Sequence, residues 1–247
     1  YKINELLDKT DIAVFERLKK ENPRRYAVAG LGEWGVAEGL VFERWEVREF
    51  DPGILTDKSN PDSWKFKHVF GLDYGYTNDP TAFIAMAVNP VDKEIYIYDE
   101  HYETRMLNDA IAQMIISKGY GKERIRADAA EPKSNEDLKR LGISRIVPAR
   151  KGRDSILNGI ARLQEYMIFV HPRCKNTIAE LSSYQWKKSK GGEPLNVPED
   201  GNNHLMDAMR YAMEDIVTFR PRPPERKPPA RKNGLVISAS DFKGGWG

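Results

Sequence analysis

Asp73, Asp128 and Asp207 are the residues of this 247-residue chain whose placement points most directly to chemistry. Asp73 closes an alternating run in which Phe66, His68, Phe70 and Leu72 interleave with Lys67, Val69 and Gly71, and Gly71, on the same strand face, leaves room beside it. Asp128 ends a second short strand, in Ala127-Asp128-Ala129-Ala130-Glu131-Pro132. Asp207 falls early in a predicted helix, Asn203-His204-Leu205-Met206-Asp207-Ala208-Met209-Arg210-Tyr211, with His204 one turn before it. Leu205, Met209, Ala212 and Ile216 form the apolar stripe of that helix, which puts His204, Asp207, Tyr211 and Glu214 on the opposite side. A carboxylate in a first helical turn is favoured by the helix dipole, so Asp207 is expected to stay ionised. Carboxylates delivered by separate elements are the hard oxygen ligands that Mg²⁺ or Mn²⁺ prefers. Two such ions held close together activate a water and stabilise the leaving oxygen of a phosphodiester. Taken singly, an Asp at a strand end or helix start is ordinarily a solvated cap, and a lone His204 a surface histidine. The inference rests on the three acids together.

The elements that must carry them are legible in outline. A strand over 66–73, a turn over 75–80, a strand over 81–88, a turn at Asn89-Pro90-Val91-Asp92 and a strand over 94–102 make an antiparallel meander. Leu107, Ile111, Met114 and Ile115 have helical spacing, predicting a helix over 106–118. Then follow a strand at 124–128, a helix at 135–141, a strand at 144–147, a helix at 154–166 and an apolar run at 168–170. A meander followed by alternating units is an α/β chain with a mixed sheet and helices on its faces.

Thirty-nine basic against 37 acidic residues leave a net charge of +2, which excludes a histone-like polycation. The charge is uneven: residues 219–247 carry seven Lys/Arg and two acids, so the rest is slightly acidic, and any nucleic-acid contact there needs local patches or bound cations. A single cysteine, Cys174, excludes an internal disulfide and fits a reducing compartment. The longest apolar stretch, 82–88, is far too short to span a membrane. Tyr1 stands where an initiating Met is expected, and no signal peptide follows, so a fragment of a longer protein is expected. Residues 4–20 have the spacing of a short helix. Gly30-Leu31-Gly32-Glu33-Trp34-Gly35 formally matches a dinucleotide fingerprint, but a strand-like run at 39–47 follows it instead of a helix, so a glycine-rich turn over Trp34 is the better reading. Residues 51–63 have loop composition. Between 220 and 232, five prolines and six Lys/Arg build no core and read as extended or disordered. Residues 234–238 can add a strand to another element. The expected organisation is a lead-in over 1–63, one domain over 64–218 and a basic Pro-rich tail over 219–247.

Gly71-Leu72-Asp73-Tyr74-Gly75-Tyr76 with Asp79-Pro80-Thr81-Ala82, then Asp128-Ala129-Ala130-Glu131-Pro132, then His204-Leu205-Met206-Asp207-Ala208-Met209-Arg210-Tyr211 resembles, in motifs and in their order, the large terminase subunits of tailed bacteriophages. Residues 30–42 resemble the segment joining the two domains of those proteins, so the likeness spans about residues 1 to 217. It implies an RNase H-like nuclease domain, with a mixed five-stranded sheet of three antiparallel strands and then parallel ones. Its implied activity is the cutting of double-stranded concatemeric viral DNA during genome packaging, in the host bacterial cytoplasm, with two Mg²⁺ or Mn²⁺ ions. On this resemblance Asp73, Asp128 and Asp207 are metal-binding acids, His204 an auxiliary ligand or proton handler, and Asp79 a further acid of second rank; Glu131 fits the pattern without a clear role. The family's other half is an ATPase motor, and this chain contains no G-x-x-x-x-G-K-[ST]. An upstream motor of the same polypeptide, a small terminase subunit and a portal protein are the implied partners.

DNA contacts are expected from Lys187, Lys188 and Lys190 in Tyr184-Gln185-Trp186-Lys187-Lys188-Ser189-Lys190-Gly191-Gly192, which reads as a protruding hairpin, and from a basic run at Arg145, Arg150, Lys151 and Arg153. Two competing readings stay open. One is another RNase H-fold nuclease, a junction resolvase or transposase-like enzyme, which would prefer branched DNA. The other is a non-catalytic docking module that binds packaging partners through the basic tail.

Overall fold

A computed structural model describes residues 39–216, except positions 58, 61, 62, 151, 153, 190, 191 and 193. The expected lead-in helix, the glycine-rich turn at Trp34 and the basic tail lie outside the described residues, as do Lys151, Arg153 and Lys190. In chain order the elements are β1 (Trp45–Val47), α1 (Pro52–Thr56), β2 (Lys67–Asp73), β3 (Thr81–Asn89), β4 (Glu94–Glu103), α2 (Asn108–Ser117), β5 (Ile125–Ala127), α3 (Pro132–Arg140), β6 (Ile146–Pro148), α4 (Ser155–Gln164), β7 (Met167–Val170), α5 (Lys175–Ser183), β8 (Trp186–Lys188), β9 (Pro194–Pro198) and α6 (His204–Ala212).

Among the described residues, seven strands form one mixed sheet in the order β1-β7-β4-β3-β2-β5-β6. The antiparallel meander β2–β3–β4 is its centre; β5 and β6 extend it in parallel beside β2, and β7 and β1 in parallel beside β4. The fold class is the expected one, but the sheet has seven strands rather than five. The two added strands extend the sheet beyond β4, with β7 beside β4 and β1 beside β7. One is the 168–170 apolar run, too short for periodicity to classify, and the other comes from the strand-like stretch read as lead-in. Val41 and Phe42 join the core with them. The stretch expected to be loop, 51–63, contains the short helix α1, whose start is capped by the Asp51 side chain accepting from Gly53 N–H at 2.8 Å.

All nine residues of β3 are buried, and their alternation separates two cores. Ala82, Ile84, Met86 and Val88 face one core with α4, α5 and α6; Phe83, Ala85 and Ala87 face the other with α2 and α3. Helices therefore cover both faces. A bulge in β4 changes this alternation: Ala85 pairs with Asp99 and Met86 with Ile97, leaving Tyr98 unpaired between them. Ile97 thus faces the α6 side, Asp99 faces the opposite side, where it meets Lys118 and Tyr120, and Glu100 faces the α6 side again. There Glu100 accepts hydrogen bonds from the backbone N–H groups of Asn176 and Thr177, 2.8 Å each, at the start of α5. Beyond α6, Asp215 makes a buried ion pair with Arg126 of β5 (Nη2–Oδ1 2.8 Å), fastening the end of that helix to the sheet. No helix among the described residues is long and apolar enough to cross a membrane.

Candidate metal centre

The site forms where α6 crosses the end of β2. Close approach needs a residue without a side chain at this crossing: a Cβ added to Gly71 would lie 1.8 Å from the Ala208 carbonyl oxygen. With the helix seated there, His204 Nδ1 stands 3.1 Å from Asp73 Oδ2, across 131 positions of sequence, and Nε2 stands 3.6 Å from Asp79 Oδ1 in the exposed β2–β3 turn. Asp128 follows β5, the parallel neighbour of β2, and its N–H donates to the Leu72 carbonyl at 3.0 Å. Asn135, buried in α3, donates through Nδ2 to the Asp128 and Glu131 carbonyls (2.9 and 3.1 Å) and accepts from the Tyr74 hydroxyl (3.2 Å). That network ties the Asp128 loop to the residue after Asp73.

Electrostatics mark the same place. Burial pushes the Asp73 carboxyl up to about 6; the hydrogen bond from His204 opposes this, while the carboxylates of Asp207 and Asp128 reinforce it. Asp207 is also raised, by burial first, against the pull of Arg210. The helix dipole expected to favour its ionised form is outweighed. The hydrogen bond to Asp73 raises His204, with Glu180 and Asp79 adding to it. Arg210 holds Asp207 Oδ1 with two donors, Nε at 3.2 Å and Nη2 at 3.0 Å, and its stem lies across Gly159 of α4, where a Cβ would sit 2.3 Å from Arg210 Cγ. Asp128 Oδ1 accepts the Ala130 N–H at 2.8 Å. With Asp207 and Asp128 each turned to a local partner, no three His, Cys, Asp or Glu side chains among the described residues close tightly enough to enclose an ion. The donor set nonetheless fits Mg²⁺ or Mn²⁺ by its chemistry: carboxylate oxygens from β2, from the end of β5 and from α6, with Asp207 and Asp128 adding to the cost of charge on Asp73.

Of the residues singled out from sequence, Asp73, Asp128, Asp207, His204 and Asp79 thus come within electrostatic or hydrogen-bond reach of one another. Glu131 sits at the start of α3, and its charge reaches Tyr74. Tyr211 is corrected: expected on the open side of its helix, it is buried, because α6 is packed on more of its circumference than a single stripe. The expected hairpin exists as β8 and β9, with Lys187 paired to Asp200 at 2.6 Å. Arg150 is exposed, and its backbone N–H donates to Glu214.

Three residues escaped the sequence reading. Arg210 was accessible, since an acid and an arginine three apart on a helix pair readily. Tyr102 packs edge-on to the His204 ring, centroids 6.4 Å apart, because Tyr102 lies opposite Ala82 in the register. Glu180 lies on α5, a helix the periodicity did not reveal. Its Oε2 accepts from the Leu205 and Met206 N–H groups at 2.8 and 3.2 Å, while Oε1 is buried, and the carboxyl also interacts with the Tyr102 hydroxyl. Burial raises its pKa to about 7, against those backbone donors. A carboxyl raised in the folded state stabilises fully below its unfolded pKa and loses that contribution as pH rises through the folded value. Stability is therefore expected to fall between pH 4.5 and 7 by on the order of 3 kcal/mol from Glu180 alone. Glu180→Gln should remove that part of the slope in urea melts across this range; a parallel slope in the variant would contradict the assignment.

The sequence matches the family model described as "Terminase RNAseH like domain" over residues 73–215, beginning at Asp73 and ending just beyond α6. It is 35% identical over 219 residues to the terminase large subunit of Bacillus phage SPP1, covering 87% of this chain and 50% of that protein. It is 30% identical over 217 residues to the PBSX phage terminase large subunit of Bacillus subtilis (strain 168), covering 86% and 48% respectively. The chain spans about half the length of these curated relatives. In structure it resembles the g2p (large terminase) nuclease domain of bacteriophage SPP1, solved with bound Mn, with a TM-score of 0.63 at 33% identity over 72% of this chain and 99% of that one. With Asp73, Asp128, Asp207 and the crossing helix all inside a matched segment that covers more than half of the chain, the chain belongs to the terminase RNase H-like domain family.

Proposed function

We propose that the chain is the nuclease part of a large terminase subunit, a divalent-metal-dependent endodeoxyribonuclease that cuts concatemeric double-stranded viral DNA during packaging. The observation that carries this reading is the Asp73 carboxyl, buried at a strand end and pushed up to about 6 with two further carboxylates, from separate elements, adding to the effect. Such an arrangement is costly to the fold unless a cation relieves it. The bound Mn of the similar SPP1 nuclease domain supports the same metal chemistry.

Asp73, Asp128 and Asp207 would hold Mg²⁺ or Mn²⁺, with His204 beside them and Asp79 in second place. A pair of such ions, when bound, supplies activation of water and charge neutralisation at the leaving oxygen. Of the chain's own groups, Arg210 keeps Asp207 Oδ1 in one orientation, and His204, hydrogen-bonded to Asp73 and open towards Asp79, can hold a proton between the buried acid and solvent. The Asn135 network fixes the Asp128 backbone relative to β2. The acids do no covalent chemistry; positioning and charge carry the catalysis. A folded unit from Leu40 to Ile216, an upstream ATPase motor in the same polypeptide, contacts with a small subunit and a portal protein, and action in the host bacterial cytoplasm complete the proposal.

The test is plasmid cleavage by this chain with Mn²⁺, with Mg²⁺ and with EDTA. Loss of supercoiled plasmid that depends on metal and stops in EDTA is expected; cleavage undiminished in EDTA would exclude the mechanism. For DNA contact, the Lys187/Lys188/Lys190→Ala variant is expected to bind duplex more weakly and with a shallower salt dependence, by up to about three phosphate contacts. Unchanged affinity and slope in a filter-binding assay would remove the hairpin from the DNA path.

A further inference from the structure

The helix that carries His204 and Asp207 lacks a local cap. Asn203 stands at its N-cap position, but its side chain accepts from no backbone N–H of the first turn and instead donates through Nδ2 to Asp207 Oδ2 at 3.5 Å, so the N–H groups of Leu205 and Met206, second and third in the helix, need another acceptor. Both residues are buried, so water does not serve them. Glu180 Oε2 takes both bonds from a different helix, and Glu180 is itself 4% exposed. The start of α5 is held in the same manner: Cys174 offers no side-chain cap, and Glu100 of β4 accepts from the second and third N–H groups there. The two caps form a chain of support running from the bulged strand β4 through α5 to α6, and at its end His204 meets Asp73.

We infer that Glu180 is a positioning residue of the metal centre, clamping the first turn of α6 so that His204 and Asp207 are presented to Asp73 and Asp128. This inference rests on the metal-centre reading above. Glu180 makes no hydrogen bond to His204, Asp207, Asp73 or Asp128; its hold is on the backbone of the two residues between His204 and Asp207, and only its charge is felt at His204. Outer partners that orient ligands typically change metal affinity or activity by about 10- to 100-fold when removed.

The experiment compares wild type, Glu180→Ala, Glu180→Gln and, as a control of similar destabilisation, Ile115→Ala in the opposite core. Mn²⁺ affinity is read by calorimetry well below each variant's melting temperature, and amide exchange is read at Leu205, Met206 and Asp207. Glu180→Ala is expected to bind Mn²⁺ at least about tenfold more weakly and to exchange those amides at least about tenfold faster. Glu180→Gln, which keeps an acceptor oxygen, should restore both to near wild type, and Ile115→Ala should leave both unchanged. Should Glu180→Ala not fold, Glu180→Asp, which withdraws the oxygens by one methylene, takes its place. Wild-type affinity and exchange in the shortened variants, or a glutamine variant as impaired as alanine, would overturn the inference. No Mn²⁺ binding by the wild type would instead overturn the metal-centre reading, and the exchange rates would still decide whether the clamp exists.

Discussion

Asp73→Asn is expected to lower metal-dependent plasmid cleavage by on the order of 10³-fold or more, equivalent to at least about 4 kcal/mol of transition-state stabilisation, with no loss of fold stability. An amide keeps the shape and an oxygen for His204 but brings no charge to hold a divalent ion. The stability half of the result follows from the sign of the pKa shift. Asp73 titrates at about 6 in the fold against 3.8 as a free side chain, so its contribution is fully present below the lower value and is lost as pH rises through the higher one. At neutral pH the ionised carboxyl therefore weighs against the folded state, and removing it should leave the melting temperature in EDTA unchanged or higher. Opposed effects on activity and stability are what a group retained for chemistry produces. Cleavage at the wild-type rate, or a drop in activity that merely tracks unfolding, would remove Asp73 from the centre.

Gly71→Ala should destabilise the domain by about 4 kcal/mol or more, or prevent its folding, a large effect for one methyl group. The added Cβ would fall 1.8 Å from the Ala208 oxygen and 2.6 Å from its carbonyl carbon. Both are backbone atoms of a helix capped at its start and joined through Asp215 to Arg126 near its end, so they cannot yield singly. The helix must rise from β2, which parts His204 from Asp73. Gly152, with open space around the added atom, is the control: Gly152→Ala should stay within about 0.5 kcal/mol of wild type in the same denaturant series. Equal stability of the two variants would show that α6 does not depend on this contact.

Much of what positions the site was readable because it is local. Alternation over successive residues delimited β2, the turns on either side delimited β3 and β4, and Asn89, whose side chain accepts from the Val91 and Asp92 N–H groups, explains the turn between those two. Helical spacing marked α2, α3, α4 and α6 to within a few residues at their ends. The three acids were recognisable from their places at the ends of two strands and the start of a helix. Three elements were not placed: β1 and β7, three and four residues long, showed only as a strand-like stretch and an apolar run with no assigned place in the sheet, and α5 carries too weak an apolar repeat to announce itself.

The amino-acid sequence by itself determined the types of element, the residues able to bind a hard cation and their order along the chain, since these depend on neighbours two to four positions apart. Only the tertiary structure decided that the sheet has seven strands, that the bulge at Tyr98 turns Glu100 toward α5, and that Glu180 caps the helix of His204 and Asp207 from 25 positions away. Each of these is a backbone donor or strand edge satisfied by a group distant in the chain. Its partner is chosen by packing, and no local pattern records that choice.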